Sequence, residues 1–443
     1  MPSRNAETAV LASGALLERA LVLAFPHDGH RSTQSCTIPR GGVLLGRGAS
    51  VFEAPFDDPA MSIQHAEIRI ESGTAVVRDL GSAAGTGLNG QPLHDTHALA
   101  QGDVLRMGDT LIVYARSAGA DEGEVSACTE PELTGGSPSI AAIRRSIDAV
   151  APRTRTVIVT GETGTGKEIV ARQIHRRSGR PGPFVAVSCG AFTEGLLASE
   201  LFGHVRGAFT GAVQDQQGLF RSARGGTLLL DDVAEIPLSL QPTLLRVLET
   251  WQVRPVGSTR DVDVNVRVVA TTNRELLAMV QEGLFRSDLY ARLAQWTIRL
   301  PPLRERREDI PTLTSALLGR CDATGRPLTP DLQEALLLHD WPMNVRWLLN
   351  VLSVAAIVTQ SGALTLGDEV REALRKDLPE RAAPHRNAQV LDKAGMDKAG
   401  LEDLLGRFQG RVAEMARHLG ITRPKLYRLL WAEGLEPGQF RGR

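Results

Sequence analysis

The sequence predicts a multidomain chain: an all-β sandwich near the N-terminus, a central α/β domain with a helical lid, and a small all-α module towards the C-terminus. Three observations carry this. Short apolar runs separated by Gly, Asp and Asn fill residues 20–116, with no long helical pattern among them. Helical patterns alternate with short buried strands over 134–302, the signature of a parallel sheet, and helical periodicity alone continues through 303–375. Residues 397–435 hold short helical patterns around a glycine. Two polar stretches divide the modules: 117–133, with five acids and no base, and 376–396, with Pro379 and Pro384.

The sandwich strands are expected at 20–25, 42–46, 66–70, 75–80, 104–106 and 110–115. Those of the central sheet are expected at 156–160, 184–187, 227–230 and 266–270. With 42% hydrophobic and 23% charged residues over 443 positions, a disordered or fibrous chain is excluded. A net charge of −1 excludes a polybasic nucleic-acid coat, so any such contact must be a local patch. Cys36, Cys128, Cys189 and Cys321 are scattered without a CxxC pair, which argues against a zinc site or disulfide framework and fits a reducing, cytoplasmic setting. The apolar stretch 9–25 is interrupted by Glu18 and Arg19, too short and too charged for a membrane span, and no signal-peptide pattern precedes it.

Chemistry concentrates in the central domain. A strand ending at Thr160 runs into Gly161, Glu162, Thr163, Gly164, Thr165, Gly166, Lys167 and Glu168. Glycines let such a loop curl so that its N–H groups cradle phosphate oxygens at a helix N-terminus. Lys167 would neutralise the β- and γ-phosphates of ATP, and it is the single lysine before residue 376 in a chain that otherwise uses arginine. The bland reading of the loop is a glycine-rich strand-to-helix turn. A second buried strand ends in Asp231 and Asp232, where an α/β sheet places its ligands. Asp231 would hold Mg2+, and Asp232 would polarise the attacking water. A third strand ends in Thr272 and Asn273, either able to hydrogen-bond the γ-phosphate or the water. Arg286, Arg292 and Arg346 could stabilise transferred charge, or could simply be surface ion pairs.

Residues 134–375 resemble the AAA+ domain of bacterial enhancer-binding proteins, the ATPases that activate sigma-54 RNA polymerase. The resemblance rests on the loop above, on an intact GAFTGA hexapeptide (Gly207, Ala208, Phe209, Thr210, Gly211, Ala212), and on the segments at 236–241, 300–306 and 308–310. It implies that the hexapeptide contacts sigma-54, that Glu168 after the lysine is usual, and that the chain forms a ring, a hexamer. It also implies that Arg286 and Arg292 act in trans on a neighbour's nucleotide and that Arg346 is the lid arginine. The chain departs from the family pattern at Asp232, usually Glu, at Ser188, usually Asn, and at Met343 and Trp347 beside Arg346. Asp232 is one methylene short, a displacement of roughly 1 Å that can cost ~10²-fold in rate.

The tail carries six Arg/Lys and one acid over 406–431. Two helical stretches joined at Gly420 read as a helix-turn-helix, with Arg423, Lys425, Tyr427 and Arg428 as candidates for DNA contact. This resembles the Fis-type module of the same family; a small oligomerisation tail is the alternative. The sandwich resembles a forkhead-associated (FHA) domain through Gly46-Arg47, Ser62, His65, Asp79 to Ser82, Gly85-Thr86 and Asn89-Gly90. That resemblance implies that Arg47 and Ser62 grip a phosphothreonine, in a partner protein or segment, while His65 is structural. Ala84 stands where the family usually has Asn. The expected whole is an ATP-driven, enhancer-bound activator of sigma-54 polymerase under phosphothreonine control. The alternatives are a non-hydrolysing DNA-bound phosphopeptide adaptor and an AAA+ remodeller of another protein.

Overall fold

The structure, a computed structural model, describes residues 18–26, 34–47, 56–117 and 133–375, together with 401, 405–408, 415 and 435. Arg423, Lys425, Tyr427 and Arg428 lie outside the described residues, as does the segment 376–396. Among the described residues no helix is long and apolar enough to cross a membrane.

Among the described residues the N-terminal module is a sandwich of ten strands: β1 (Glu18–Phe25), β2 (Gln34–Thr37), β3 (Val43–Leu45), β4 (Ala66–Glu71), β5 (Thr74–Asp79), β6 (Thr86–Leu88), β7 (Gln91–Pro92), β8 (His97–Ala98), β9 (Val104–Met107) and β10 (Thr110–Ser117). One sheet has the order β2-β1-β10-β9-β6-β7 and the other β3-β4-β5-β8. The strands β2, β6, β7 and β8 escape the sequence reading because, at two to four residues, they lack the apolar run that marks the equally short β3 and β9. Alternate side chains close the core between the sheets, among them Leu21, Leu23, Ile68, Val77, Leu105, Met107, Ile112 and Tyr114.

Strand β10 is apolar on both faces, and the structure supplies the reason. Ile112 and Tyr114 point into the sandwich, whereas Leu111 and Val113 join Ala24 and Val104 in a core shared with Leu303, Ile310, Leu332, Leu336 and Trp341 of the lid. A strand covered on both sides loses the alternation that a half-exposed strand keeps. Charge reinforces the contact. The Arg106 guanidinium donates to Glu334 at 2.6 Å and to Asp331 at 3.0 Å, and Arg307 donates to the Gly102 carbonyl at 3.2 Å.

The central sheet is five-stranded and parallel, in the order Phe184–Ser188, Thr227–Asp231, Arg267–Thr272, Val157–Thr160, Trp296–Arg299. Its innermost strand, Arg267–Thr272, is buried along its whole length, which its β-branched run favours. The edge strand Trp296–Arg299 was not foreseen; only Ile298 of its four residues is buried. Helix Pro138–Val150 starts with Ser137 as its cap, and Asp309 from the lid hinge accepts from the N–H groups of Gly136 and Ser137 and from the Ser137 hydroxyl at 2.6–2.8 Å. At its other end, buried Arg267 donates to the carbonyls of Val150 and Ala151. The lid is built from helices Ile310–Leu318, Pro330–Leu338, Asn344–Val358 and Asp368–Arg375 around Trp341.

Hydrogen bonds to charged groups contribute about 1.5–3 kcal/mol when partly buried. Arg106→Glu would replace that gain with repulsion against Glu334. Hydrogen–deuterium exchange of the full chain should then show several-fold faster exchange in Pro330–Leu338, with Arg267–Thr272 still protected. Adding Glu334→Arg should restore protection. Unchanged exchange in that helix would mean that the charged contact does not hold the lid.

Candidate functional site

The carboxyl end of the parallel sheet gathers most of the residues singled out above. The strand Val157–Thr160 feeds the phosphate loop, and Gly166 is the cap of helix Lys167–Arg177. Gly161, Gly164 and Gly166 all have positive φ, at 153°, 79° and 105°. At Gly164 the constraint is double: a Cβ there would sit 2.1 Å from the Met343 carbonyl oxygen. The first turn of the helix leaves N–H groups without intrahelical partners, the feature that suits a phosphate. Lys167 Nζ donates to the carbonyls of Gly161 and Glu162 at 2.9 and 3.1 Å. Burial lowers its pKa, and the neighbouring Asp232 and Asp231 oppose that shift.

Lid residues grip the loop from above. Glu162 accepts two bonds from Arg304 (2.6 and 2.9 Å) and one from Asn344 (3.2 Å). The Arg304 bonds pull its carboxyl below the usual range. Asn344 also donates to the Thr163 carbonyl, the Val345 N–H to the Gly164 carbonyl, and buried Arg306 to the Thr165 carbonyl. Glu162 thus fastens the loop to the lid through its side chain. The Glu168 carboxylate turns to Arg172 on its own helix, at 2.7 Å. Arg346 is exposed beside the loop, its Cβ 3.1 Å from where a Cβ on Gly164 would lie.

The two acids stand across from the loop. Asp231 ends its strand, paired in register with Ser188. Asp232 takes the left-handed conformation, φ 56° and ψ 58°. Its Oδ1 is buried and has no hydrogen-bond partner. Burial, and then Asp231, raise its pKa, while Lys167 and the Asn273 N–H hold it down. Asn273 also reaches the phosphate loop, its side-chain amide donating to Thr163 Oγ1 at 3.0 Å. Sequence reading passed over Thr271, whose hydroxyl donates to Asp231 Oδ1 and accepts from the Asp232 N–H at 3.1 Å. A hydroxyl directly after the apolar run 268–270 was the available signal. Nearby Cys189 is buried, and its thiol is pushed up to about 12 by burial and the two acids, so it is no nucleophile at neutral pH.

The two candidate trans arginines have partners within the chain. Arg286 pairs with Asp288 at 2.8 Å, and Arg292 donates to the Leu248 carbonyl at the end of helix Gln241–Thr250.

The loop 207–212 is a compact turn with an exposed tip. The Gly207 N–H donates to the Ala212 carbonyl at 2.8 Å, and Gly207 and Gly211 have positive φ. Phe209 is 41% exposed, and its ring meets the edge of His204 at 5.0 Å. His204 is buried and bonded through Nδ1 to Ser199 at 2.7 Å. The base of the loop pairs with a second hairpin, where the Val205 N–H donates to the Val256 carbonyl. Gly257 packs so closely there that a Cβ would lie 2.7 Å from that of Ala208.

In the sandwich, the Arg47 N–H donates to the Ser62 carbonyl, and Ser62 Oγ accepts from the Ala83 N–H at 3.0 Å. His65 is fully buried, accepts from the Ser62 N–H at Nδ1 and therefore donates from Nε2 to the Gly85 carbonyl. It braces the segments that carry Ser62 and Gly85.

Three domain families match the chain: the Sigma-54 interaction domain over residues 133–299, the FHA domain over 43–108 and the AAA+ ATPase lid domain over 304–387. The transcriptional regulatory protein GlrR of Escherichia coli (strain K12) is 40% identical over 310 residues, 69% of this chain and 68% of GlrR. The Nif-specific regulatory protein of Azotobacter vinelandii is 43% identical over 297 residues, 66% of this chain and 57% of that protein. Among solved structures, NtrX from Brucella abortus in complex with ADP is similar at 32% identity and a TM-score of 0.51, over 69% of each chain.

Gly164→Ala should weaken ADP binding at least tenfold, read by calorimetric titration, because both its φ and its clearance from Met343 forbid a Cβ. Gly195→Ala, with open space around it, should leave affinity unchanged. Equal affinity in the two variants would contradict the loop geometry.

Proposed function

The chain belongs to the sigma-54-dependent transcriptional regulators, and from that premise we propose that it is an ATPase that activates sigma-54 RNA polymerase from enhancer DNA under control of its FHA domain. The observation that carries this reading is the meeting of Lys167, Asp231 and Asp232 at one end of the sheet, beneath a glycine loop clamped by the lid. These residues fit ATP with magnesium. The loop offers N–H groups and an ammonium for phosphate, and Asp232 keeps a buried carboxylate oxygen without a partner.

In this reading the loop residues 161–168 hold the phosphates, and Lys167 moves from its carbonyl partners to the β- and γ-oxygens. Asp231 would hold magnesium, which would supply positive charge to offset the phosphates. Asp232 orients the attacking water and takes its proton, and burial raises its pKa towards that task. Asn273 aligns the γ-phosphate from the loop side. Arg286 and Arg292, freed from their partners within the chain, reach a neighbouring subunit's nucleotide in a hexameric ring, and Arg346 closes from the lid. Phe209 and the residues around it present an apolar tip to sigma-54. Arg423, Lys425, Tyr427 and Arg428 anchor the ring on DNA.

Arg47 and Ser62 bind phosphothreonine, and the core that the sandwich shares with the lid supports a direct route from that event to the nucleotide site. A threonine-phosphorylated peptide library should bind the full chain and lose binding with Arg47→Ala together with Ser62→Ala. Binding that ignores phosphorylation would refute this control.

ATP turnover should rise with protein concentration and vanish in Lys167→Ala. Asp232→Glu should turn over at least as fast as wild type. If wild type binds nucleotide but turns over no faster than Lys167→Ala, and Asp232→Glu restores turnover, the short acid has made the chain a non-hydrolysing DNA-bound adaptor.

A further inference from the structure

We propose that Thr271 is a positioning residue for ATP hydrolysis, tying the two acids into one unit through its single hydroxyl. The inference rests on the ATPase reading above. Strands Thr227–Asp231 and Arg267–Thr272 run parallel, with Leu230 paired to Ala270 as the last matched position. Past that point the backbone ladder between them ends, and Thr271 stands beside Asp231. The side chain of Thr271 is fully buried, so its hydroxyl must find partners inside the protein. It finds two, and they belong to consecutive residues of the acid pair. Its proton goes to Asp231 Oδ1, and its oxygen accepts the Asp232 N–H.

Each bond fixes a different quantity. The first removes one rotational option from the Asp231 carboxylate and leaves its other oxygen for the metal side. The second holds the backbone of Asp232 at φ 56°, a left-handed conformation that a non-glycine residue keeps only where its surroundings enforce it. That conformation decides where the Asp232 side chain leaves the chain. It also leaves Asp232 Oδ1 buried and without a hydrogen-bond partner. A short acid has little reach with which to correct a misplaced backbone, so its aim depends on the hydroxyl that sets the turn. Of the other residues at this strand end, Thr272 closes the turn to Arg274, and Asn273 reaches the phosphate loop with its side chain while its backbone N–H donates to the Asp232 carboxylate; only Thr271 bonds both acids through its side chain.

The test compares Thr271→Val, which keeps the shape and loses the hydroxyl, with Thr271→Ser, which keeps the hydroxyl. Thr271→Val should lower kcat for ATP tenfold or more, leave KM within twofold and leave calorimetric ADP affinity unchanged. In nucleotide-free full chain it should also speed hydrogen exchange in a peptide spanning 229–236, where the Asp232 N–H loses its acceptor. Thr271→Ser should return both readouts to within about threefold of wild type. Wild-type turnover with equal kcat in Thr271→Val overturns the role of Thr271 alone. Loss of ADP affinity in Thr271→Val, or failure of Thr271→Ser to rescue, assigns the residue to strand packing and also overturns it. Wild-type turnover no higher than that of Lys167→Ala overturns the ATPase reading instead.

Discussion

The contact between the phosphate loop and the lid is the constraint on which the rest of the molecule depends. Met343 lies so near Gly164 that no side chain fits between them, and Glu162 is held by both Arg304 and Asn344. A loop of three positive-φ glycines has little conformational preference of its own. Its shape is imposed by these partners, all of which arrive from one segment, 303–345. The same segment caps helix Pro138–Val150 through Asp309 and shares its core with the sandwich. One short stretch of chain therefore couples the loop, the α/β domain and the N-terminal module. In this geometry a perturbation of the sandwich face has a mechanical path to the phosphate loop.

Electrostatics adds a second dependence. Lys167 and Asp232 are each partly desolvated, and each opposes the other's shift. Two carboxylates side by side raise the pKa of one of them, and a nearby ammonium limits the rise. The result is two adjacent acids held beside an ammonium at the carboxyl end of the sheet. Phosphoryl transfer demands this kind of arrangement, because its catalysis is almost entirely positioning and charge stabilisation. The loop 207–212 obeys a different logic. Its glycines and Phe209 make an exposed tip on a bonded base, where His204 and the hairpin at Val256 provide the footing.

Much of this was legible in the chain itself. The glycine loop, the paired acids and the GAFTGA hexapeptide are local words, each readable from a few neighbouring residues. Most of the parallel sheet was legible because its three inner strands are buried on both faces and read as apolar runs. What stayed hidden depends on tertiary neighbours. Glu162 reads as part of a phosphate loop, yet its carboxylate serves the lid, and nothing local says so. Thr271 looks like an ordinary strand residue until Asp231 is placed beside it. The apolar second face of β10 was visible as a run without alternation, but its partner, the lid core, lies some 200 residues away in sequence. Strands of two or three residues, such as β7 and β8, exist only through their pairing.

The most direct test of the link between nucleotide chemistry and the polymerase is single-round transcription from a supercoiled sigma-54 promoter, with purified sigma-54 holoenzyme and the full chain. Transcripts should require ATP, should be absent with a non-hydrolysable analogue, and should be lost in Phe209→Ala while its ATP turnover persists. Transcripts that form without hydrolysis, or that survive removal of the Phe209 ring, would contradict it.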